Sequence, residues 1–269
     1  MTDQTPSPKA TLSLASQLAD RAAEHTLEWF RAPALVTQNK WVEGFDPVTE
    51  ADKAAELAMR ALLKARRPED SVIGEESQDT FGTSGLSWVL DPIDGTRGYV
   101  SGTPTWGTLI ALNDGQKPIF GMIDQPYIGE RFVGGLGMAF MERDGIKTSL
   151  CTRKTRHLSQ ATIFTTFPEV GSPLEAEAFH TLAEQCQLTR YGMDCYAYAL
   201  LAAGQIDLVI EAGLNAYDIQ APMALVQAAG GVVSDWRGAN PMNGGRCVCA
   251  ATPELHTAAL DILREVPLG

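Results

Sequence analysis

The sequence predicts an α+β fold made of two closely packed lobes. The chain has 269 residues, of which 45% are hydrophobic, and this suffices for a large core without disulfide bonds. Short apolar runs between residues 87 and 135 indicate a strand-rich first half, and helix and strand patterns alternate from about residue 150. We therefore expect an N-terminal α+β lobe over 10–150, a C-terminal α/β lobe over 151–269 and a disordered tail over 1–9.

Two amphipathic helices are expected in the N-terminal lobe. Apolar residues recur at helical spacing over 10–31 and over 51–66, and a proline follows each pattern. The apolar runs that follow predict strands at 87–91, 106–112, 118–124 and 131–135. Because Asp114-Gly115 is a turn signal between two of these runs, we expect antiparallel pairing.

The C-terminal lobe is expected to alternate helices with strands. The helical patterns lie at 174–187, 195–203, 219–229 and 253–265. The strand patterns lie at 161–166, 207–211, 232–236 and 247–251.

Composition excludes several classes of function. The net charge is −12, and the sequence has no stripe of Lys and Arg, so we expect no binding to nucleic acid. No apolar run approaches the roughly 20 residues needed to cross a bilayer, so we expect no membrane partner. The polar N-terminus and the odd number of cysteines, five, indicate a reducing cytoplasmic location.

The stretch Trp88–Thr96 places two acids after an apolar run. The run predicts a buried strand that delivers Asp91 to its end, and Pro92 then turns the chain so that Asp94 converges on Asp91. Two converging carboxylates are costly unless a cation lies between them. Gly95 and Thr96 leave backbone amides open to an anion such as phosphate. A polar turn remains the simpler alternative, and the Asp-x-Asp-Gly-Thr signature of haloacid-dehalogenase-type phosphatases differs by one residue in spacing.

Three further segments contain acidic residues that are candidates for the same site. Glu75 follows the short apolar run Val72–Gly74, the segment 46–52 contains three acids and a threonine, and Asp218 begins a predicted helix. Helix capping is an alternative explanation for Thr49 or Asp52 and for Asp218, although a cap in the segment 46–52 needs only one of its residues.

Taken in order, these four segments resemble the magnesium-dependent, lithium-sensitive phosphatase superfamily of inositol monophosphatases and fructose-1,6-bisphosphatases. The resemblance implies a layered αβαβα sandwich of the sugar phosphatase type. It departs from the family pattern at Tyr217, where tryptophan is usual, and at Gly98, where a bulkier residue is usual.

The resemblance also implies a metal site. Glu75, Asp91 and the carbonyl of Ile93 would hold one Mg²⁺, and Asp91, Asp94 and Asp218 would hold a second. A third ion would bind more weakly through Glu75 and water. Such carboxylate sites, completed by water and substrate phosphate, suit Mg²⁺.

The implied reaction is hydrolysis of a small phosphate monoester by direct attack of a metal-activated water. Thr96 and Asp46 would orient and deprotonate this water with help from Glu75. The amides of Gly95 and Thr96 would bind the phosphate. A homodimer is expected because relatives commonly form one.

Two acids are expected to bind the substrate. Glu211 matches the carboxylate with which relatives bind the alcohol portion, and Asp194 adds a second negative charge. The motif Asp194–Tyr198 is similar to that of the inositol-monophosphatase-like histidinol-phosphatases of histidine biosynthesis, whose substrate, L-histidinol phosphate, carries an ammonium group and an imidazole. Inositol 1-phosphate or another small ester is the alternative substrate, and a non-catalytic binding protein on the same scaffold is a remote one. Asp194 would otherwise be a helix cap.

Overall fold

Two large β-sheets and seven helices form the fold in the described part of the chain. The structure is a computed structural model, and it describes residues 7–32, 37–39, 47–167, 169 and 171–267. The helices are α1 (Pro8–Trp29), α2 (Glu50–Arg66), α3 (Thr96–Ser101), α4 (Pro173–Ala183), α5 (Cys195–Ala202), α6 (Ala216–Ala228) and α7 (Pro253–Leu263). A 3₁₀ turn spans Leu158–Gln160.

Seven strands form the first large sheet, in chain order. They are β3 (Ser71–Gly74), β4 (Ser87–Asp94), β5 (Gly107–Asn113), β6 (Pro118–Gln125), β7 (Glu130–Gly135), β8 (Met138–Arg143) and β9 (Ile146–Ser149), and they follow a two-stranded sheet of β1 (Thr37–Asn39) and β2 (Pro47–Thr49). The pairs from β4 to β9 are antiparallel, as expected, whereas β3 pairs in parallel with β4.

Five strands form the second large sheet, in the order β11-β10-β12-β14-β13. They are β10 (Thr162–Thr165), β11 (Leu188–Tyr191), β12 (Leu208–Leu214), β13 (Val232–Ser234) and β14 (Gly245–Ala250). β10 pairs in parallel with β11 and β12, and the β14 pairs are antiparallel.

The helices and sheets stack in five layers. Apolar residues of α1 and α2 pack on one face of the first sheet. Helices α5 and α6 lie between the two sheets, where their apolar side chains join residues from both sheets in one core. Helices α4 and α7 cover the outer face of the second sheet. The predicted α+β class and the αβαβα layering are confirmed, while the division into lobes near residue 150 stays a prediction.

Local capping explains where two helices begin. The Thr49 hydroxyl accepts from the N–H groups of Ala51 and Asp52, and the Asp52 carboxylate accepts from the Thr49 N–H, so both residues act together in one capping box. In α6, Asn215 is the N-cap, and Asp218 accepts the Asn215 N–H at 2.7 Å from inside the first turn. Asp218 is therefore a partner of the cap and not the cap itself.

The predicted elements differ from the observed ones mainly in polar regions. Strand β4 continues to Asp94, three residues beyond its predicted end, because its ladder with β5 resumes after an irregularity between Asp91 and Asp94. The hairpin β8–β9 and strand β11 were not predicted, since β9 is exposed throughout and offers no apolar alternation. Within the described residues, no helix is long and apolar enough to cross a membrane.

Candidate active site

Hydrogen bonds made by the side chains of Asp91, Thr96 and Thr108 hold the end of β4 in a turn. The Asp91 carboxylate accepts the N–H of Ile93 at 3.0 Å, and the Thr108 hydroxyl donates to the Pro92 carbonyl at 2.8 Å. The Thr96 hydroxyl donates to the Ile93 carbonyl at 3.1 Å. These bonds fix the backbone that connects Asp91 to Asp94 and aim both acids at one side of the sheet.

Carboxylates from three separate elements meet beside this turn. Oxygen atoms of Asp91, Asp94 and Asp218 all lie within 4.8 Å of one another. Glu75 follows β3, whose last residue, Gly74, pairs with Leu90, so Glu75 is placed beside Asp91. The parallel β3–β4 pair and the first turn of α6 thus bring together acids that are far apart in the sequence.

The electrostatics of this cluster fit divalent cations. Burial, and then the charges of Glu75, Asp94 and Asp218, raise the pKa of Asp91 well above its ordinary value. Burial, and then the charges of Asp194 and Asp218, raise the pKa of Asp94. Each shift means that the ionised carboxylates repel one another in a site with little water. Hard cations would relieve this repulsion, and oxygen donors are the ligands that Mg²⁺ prefers.

One pocket joins this carboxylate cluster to the other predicted residues. Its volume is about 270 Å³, which suits a small phosphate ester. Every predicted site residue in the described part of the chain lines it: Glu75, Asp91, Ile93, Asp94, Gly95, Thr96, Asp194, Glu211 and Asp218. Asp46 lies outside the described residues.

Asp194 approaches the β4 turn closely. Its backbone is in the left-handed region, with φ of 47°, and its side chain makes no capping hydrogen bond to α5. The Thr105 hydroxyl donates to the Asp194 carboxylate at 3.3 Å, and the neighbouring Cys195 N–H donates to Asp94 at 2.6 Å. Capping therefore does not account for Asp194. A side chain at Gly98 would lie 2.9 Å from Thr103 and 3.0 Å from Thr105, which explains the glycine.

Glu211 is a buried acid held by two threonines. It is 6% exposed, and it accepts from the Thr166 N–H at 2.7 Å, the Thr166 hydroxyl at 2.9 Å and the Thr165 hydroxyl at 3.2 Å. Burial raises its pKa from 4.5 to about 8, although these hydrogen bonds oppose the shift. Burial therefore favours the protonated form of this carboxyl, whereas a cationic or N–H-bearing group in the pocket would favour the ionised form.

We expect Glu211→Gln to stabilise the metal-free protein increasingly as pH rises from about 4.5 to about 8. The folded state retains a proton on Glu211 that the unfolded chain has lost, so wild-type stability falls across this window and then stays level. Calorimetry between pH 5 and 9 should show a gain in Tm of about 4 °C or more at the alkaline end. Exposed Glu184→Gln is the control and should leave the curve unchanged. A gain independent of pH would contradict the prediction.

The turn that carries Glu75 is supported from α2. Buried Glu56 accepts the Glu76 N–H at 2.7 Å and pairs with Arg60 at 2.7 Å. Arg60 also donates to the Ser77 carbonyl at 3.2 Å. A Cβ atom on Gly74 would lie 2.6 Å from the Glu56 carboxyl, so a larger residue there would have to displace the Glu56–Arg60 pair. Glu56 and Arg60 thereby fix the backbone that directly follows Glu75.

Sequence reasoning missed several residues that line the same pocket, among them Arg97, Thr166, Phe167 and Tyr198. Arg97 follows Thr96 directly, and Thr166 and Phe167 follow the apolar run of β10. Position after a strand was the available signal for the latter two, but their chemistry alone names no role.

Comparison with known proteins identifies the family. The model of the inositol monophosphatase family matches residues 8–268. The bifunctional phosphatase IMPL2 of Arabidopsis thaliana is 36% identical over 263 residues, covering 93% of this chain and 74% of that protein. A histidinol-phosphatase of Streptomyces coelicolor is 34% identical over 270 residues, covering 94% and 97%. A solved structure of an inositol monophosphatase from Zymomonas mobilis has a TM-score of 0.84 and 38% identity, covering 96% and 99%.

The fold and the carboxylate-lined pocket therefore define a metal-dependent phosphatase. The chain belongs to the inositol monophosphatase family, and the predicted resemblance is confirmed. Members of this family hydrolyse phosphate monoesters.

Proposed function

We propose that this phosphatase hydrolyses L-histidinol phosphate to L-histidinol and phosphate, a step of histidine biosynthesis. The observation that carries this choice is the pair of acids on the leaving-group side of the pocket. Burial raises the pKa of Asp194 to about 6 and that of Glu211 to about 8. Both carboxyls therefore favour a ligand that brings positive charge or N–H donors, and histidinol phosphate brings an ammonium group and an imidazole.

The relatives support both this substrate and its alternative. The Streptomyces coelicolor protein is named a histidinol-phosphatase, whereas the Zymomonas mobilis structure is described as an inositol monophosphatase. Inositol 1-phosphate is thus the second candidate. A neutral polyol, however, brings neither a positive charge nor an N–H donor to these two buried carboxyl groups.

We propose that Mg²⁺ is the metal, with two ions held by Glu75, Asp91, Asp94, Asp218 and the Ile93 carbonyl, and a third bound weakly through Glu75. When bound, divalent cations lower the pKa of a coordinated water and neutralise phosphate charge. The four acids supply four negative charges, so two ions would leave the cage nearly neutral towards an anionic substrate.

Side chains and backbone amides of the protein would orient the attacking water and the phosphate group. The Thr96 hydroxyl donates a hydrogen bond to the Ile93 carbonyl, so its oxygen would accept a hydrogen bond from the attacking water. Asp46 and Glu75 would share in holding that proton. The amides of Gly95 and Thr96 would donate to phosphate oxygens and stabilise the charge that develops on them. We also propose a cytoplasmic homodimer without a nucleic-acid partner.

Phosphate release from L-histidinol phosphate and inositol 1-phosphate, measured with excess Mg²⁺, tests the substrate. We expect kcat/KM for histidinol phosphate to be at least about tenfold higher, and chelation of the metal to abolish both activities. Asp194→Asn should reduce this preference about tenfold while leaving inositol phosphate hydrolysis nearly unchanged. Exposed Asp261→Asn is the matched control. If wild-type protein cleaved inositol phosphate at least as efficiently, the substrate assignment would fail.

A further inference from the structure

A large aromatic side chain lies exposed at the edge of this polar pocket. Phe167 follows β10, lines the pocket and keeps 41% of its surface exposed. The guanidinium of Arg97 packs against it, with its carbon atom 4.7 Å from the ring centroid. An exposed phenyl ring is unusual in a pocket lined mainly by acids and small residues, and it offers a flat apolar surface to a ligand.

The residue before Phe167 is hydrogen-bonded to Glu211, the carboxylate that we propose binds the substrate. Thr166, the residue before Phe167, donates both its N–H and its hydroxyl to Glu211, at 2.7 and 2.9 Å. The position of the Phe167 backbone relative to the Glu211 carboxylate is therefore fixed by two short hydrogen bonds. Thr166, Phe167 and Glu211 all line the same pocket.

The Arg97 side chain links this region to the phosphate end. Arg97 follows Thr96, whose hydroxyl is bonded to the Ile93 carbonyl. Burial raises the pKa of Asp194, while the Thr105 hydrogen bond and the charge of Arg97 lower it, so Arg97 acts on the second acid as well. Phe167 thus lies beside a guanidinium whose charge also acts on Asp194.

These contacts distinguish two kinds of leaving group. A planar ring with N–H donors can turn its edge towards Glu211 and its face towards Phe167, because aromatic faces attract planar and cationic groups. A saturated polyol has no flat face and gains only ordinary contact with the ring.

We infer that Phe167 is a specificity-determining residue that stacks against a planar ring in the leaving group, with Arg97 packed on Phe167 as its support. The inference rests on the proposed function for the choice of histidinol phosphate, whose imidazole is such a ring. Stacking on Phe167 does not change the chemical step, so we expect substitution of Phe167 to alter substrate binding and therefore KM.

Steady-state kinetics of Phe167→Leu, Phe167→Tyr and wild type test the inference with two pairs of substrates. The pairs are histidinol phosphate against inositol 1-phosphate, and benzyl phosphate against glycerol 2-phosphate. For Phe167→Leu we expect KM to rise roughly fivefold for both ring-bearing esters and less than twofold for the ring-free ones, with kcat changed less than twofold. Phe167→Tyr keeps the aromatic face, so its KM values should equal those of the wild type.

Each outcome decides a different claim. An equal rise in KM for ring-bearing and ring-free esters, or a failure of tyrosine to restore KM, would overturn the role of Phe167. A wild-type preference for inositol phosphate over histidinol phosphate would overturn the proposed function alone. The benzyl and glycerol phosphate pair would then still decide whether Phe167 stacks on a ring.

Discussion

Asp91→Asn should lower kcat by at least about a thousandfold and abolish the rise in Tm that Mg²⁺ causes in the wild type. Asp91 is 1% exposed, and its carboxylate lies in the group whose oxygen atoms approach within 4.8 Å of one another. We propose that it is shared by both ions, so an amide in its place would leave each ion one charged ligand short. Phosphate release and thermal unfolding with and without Mg²⁺ measure the two effects.

The same substitution should leave the metal-free protein at least as stable as the wild type. Asparagine is isosteric with aspartate and still accepts the Ile93 N–H through its Oδ1 atom. Burial, and the charges of Glu75, Asp94 and Asp218, raise the pKa of Asp91, so its ionised form destabilises the folded state at neutral pH. Removing that charge relieves the repulsion.

Asp70→Asn is a matched control because Asp70 is also buried, at 4% exposed, but lies outside the pocket. It accepts from the Trp88 indole and pairs with Arg67. We expect this variant to lose stability and keep its response to Mg²⁺. An unchanged kcat in Asp91→Asn, or a Tm that still rises with Mg²⁺ as in the wild type, would contradict the shared-ligand model.

The carboxylate cluster was predictable because its acids follow local signals, whereas the resemblance to the family assigned these acids to metal ions. Glu75 and Asp91 come after apolar runs, and Asp218 begins a helix, so patterns of a few residues located them. The unpredicted elements lack such a signal: β9 is polar and exposed, and its pairing with β8 depends on the rest of the sheet. Similarly, the position of α6 between two sheets follows from packing that no single segment displays.

The part of the pocket around Asp194 and Phe167 was less predictable because it depends on contacts between distant segments. Asp194 was named from its resemblance to relatives, but its left-handed backbone and its approach to Gly95 exist only in the folded chain. Phe167 was missed for the same reason. Its role follows from Arg97 on its ring and from the bonds between Thr166 and Glu211, which join parts of the chain more than 40 residues apart.

Gly95→Ala is expected to have the second large effect, a fall in kcat/KM of about a hundredfold. Gly95 has φ of 84°, a region that costs alanine roughly 1 kcal/mol. A Cβ atom at this position would also lie 2.9 Å from the Cβ and Cγ atoms of Asp194. Because Asp194 is bonded to Thr105 and precedes the N–H that holds Asp94, the clash must shift either the turn or the acid.

Gly129→Ala separates backbone strain from this clash. Gly129 has nearly the same φ, 80°, but a Cβ atom there would meet nothing within 4 Å. Both variants should lose about the same free energy of unfolding from strain, and Gly95→Ala should lose more. Only Gly95→Ala should lose activity, because we propose that the amides of Gly95 and Thr96 bind the substrate phosphate. If both variants kept wild-type kcat/KM, the close approach of Asp194 to this turn would have no part in catalysis.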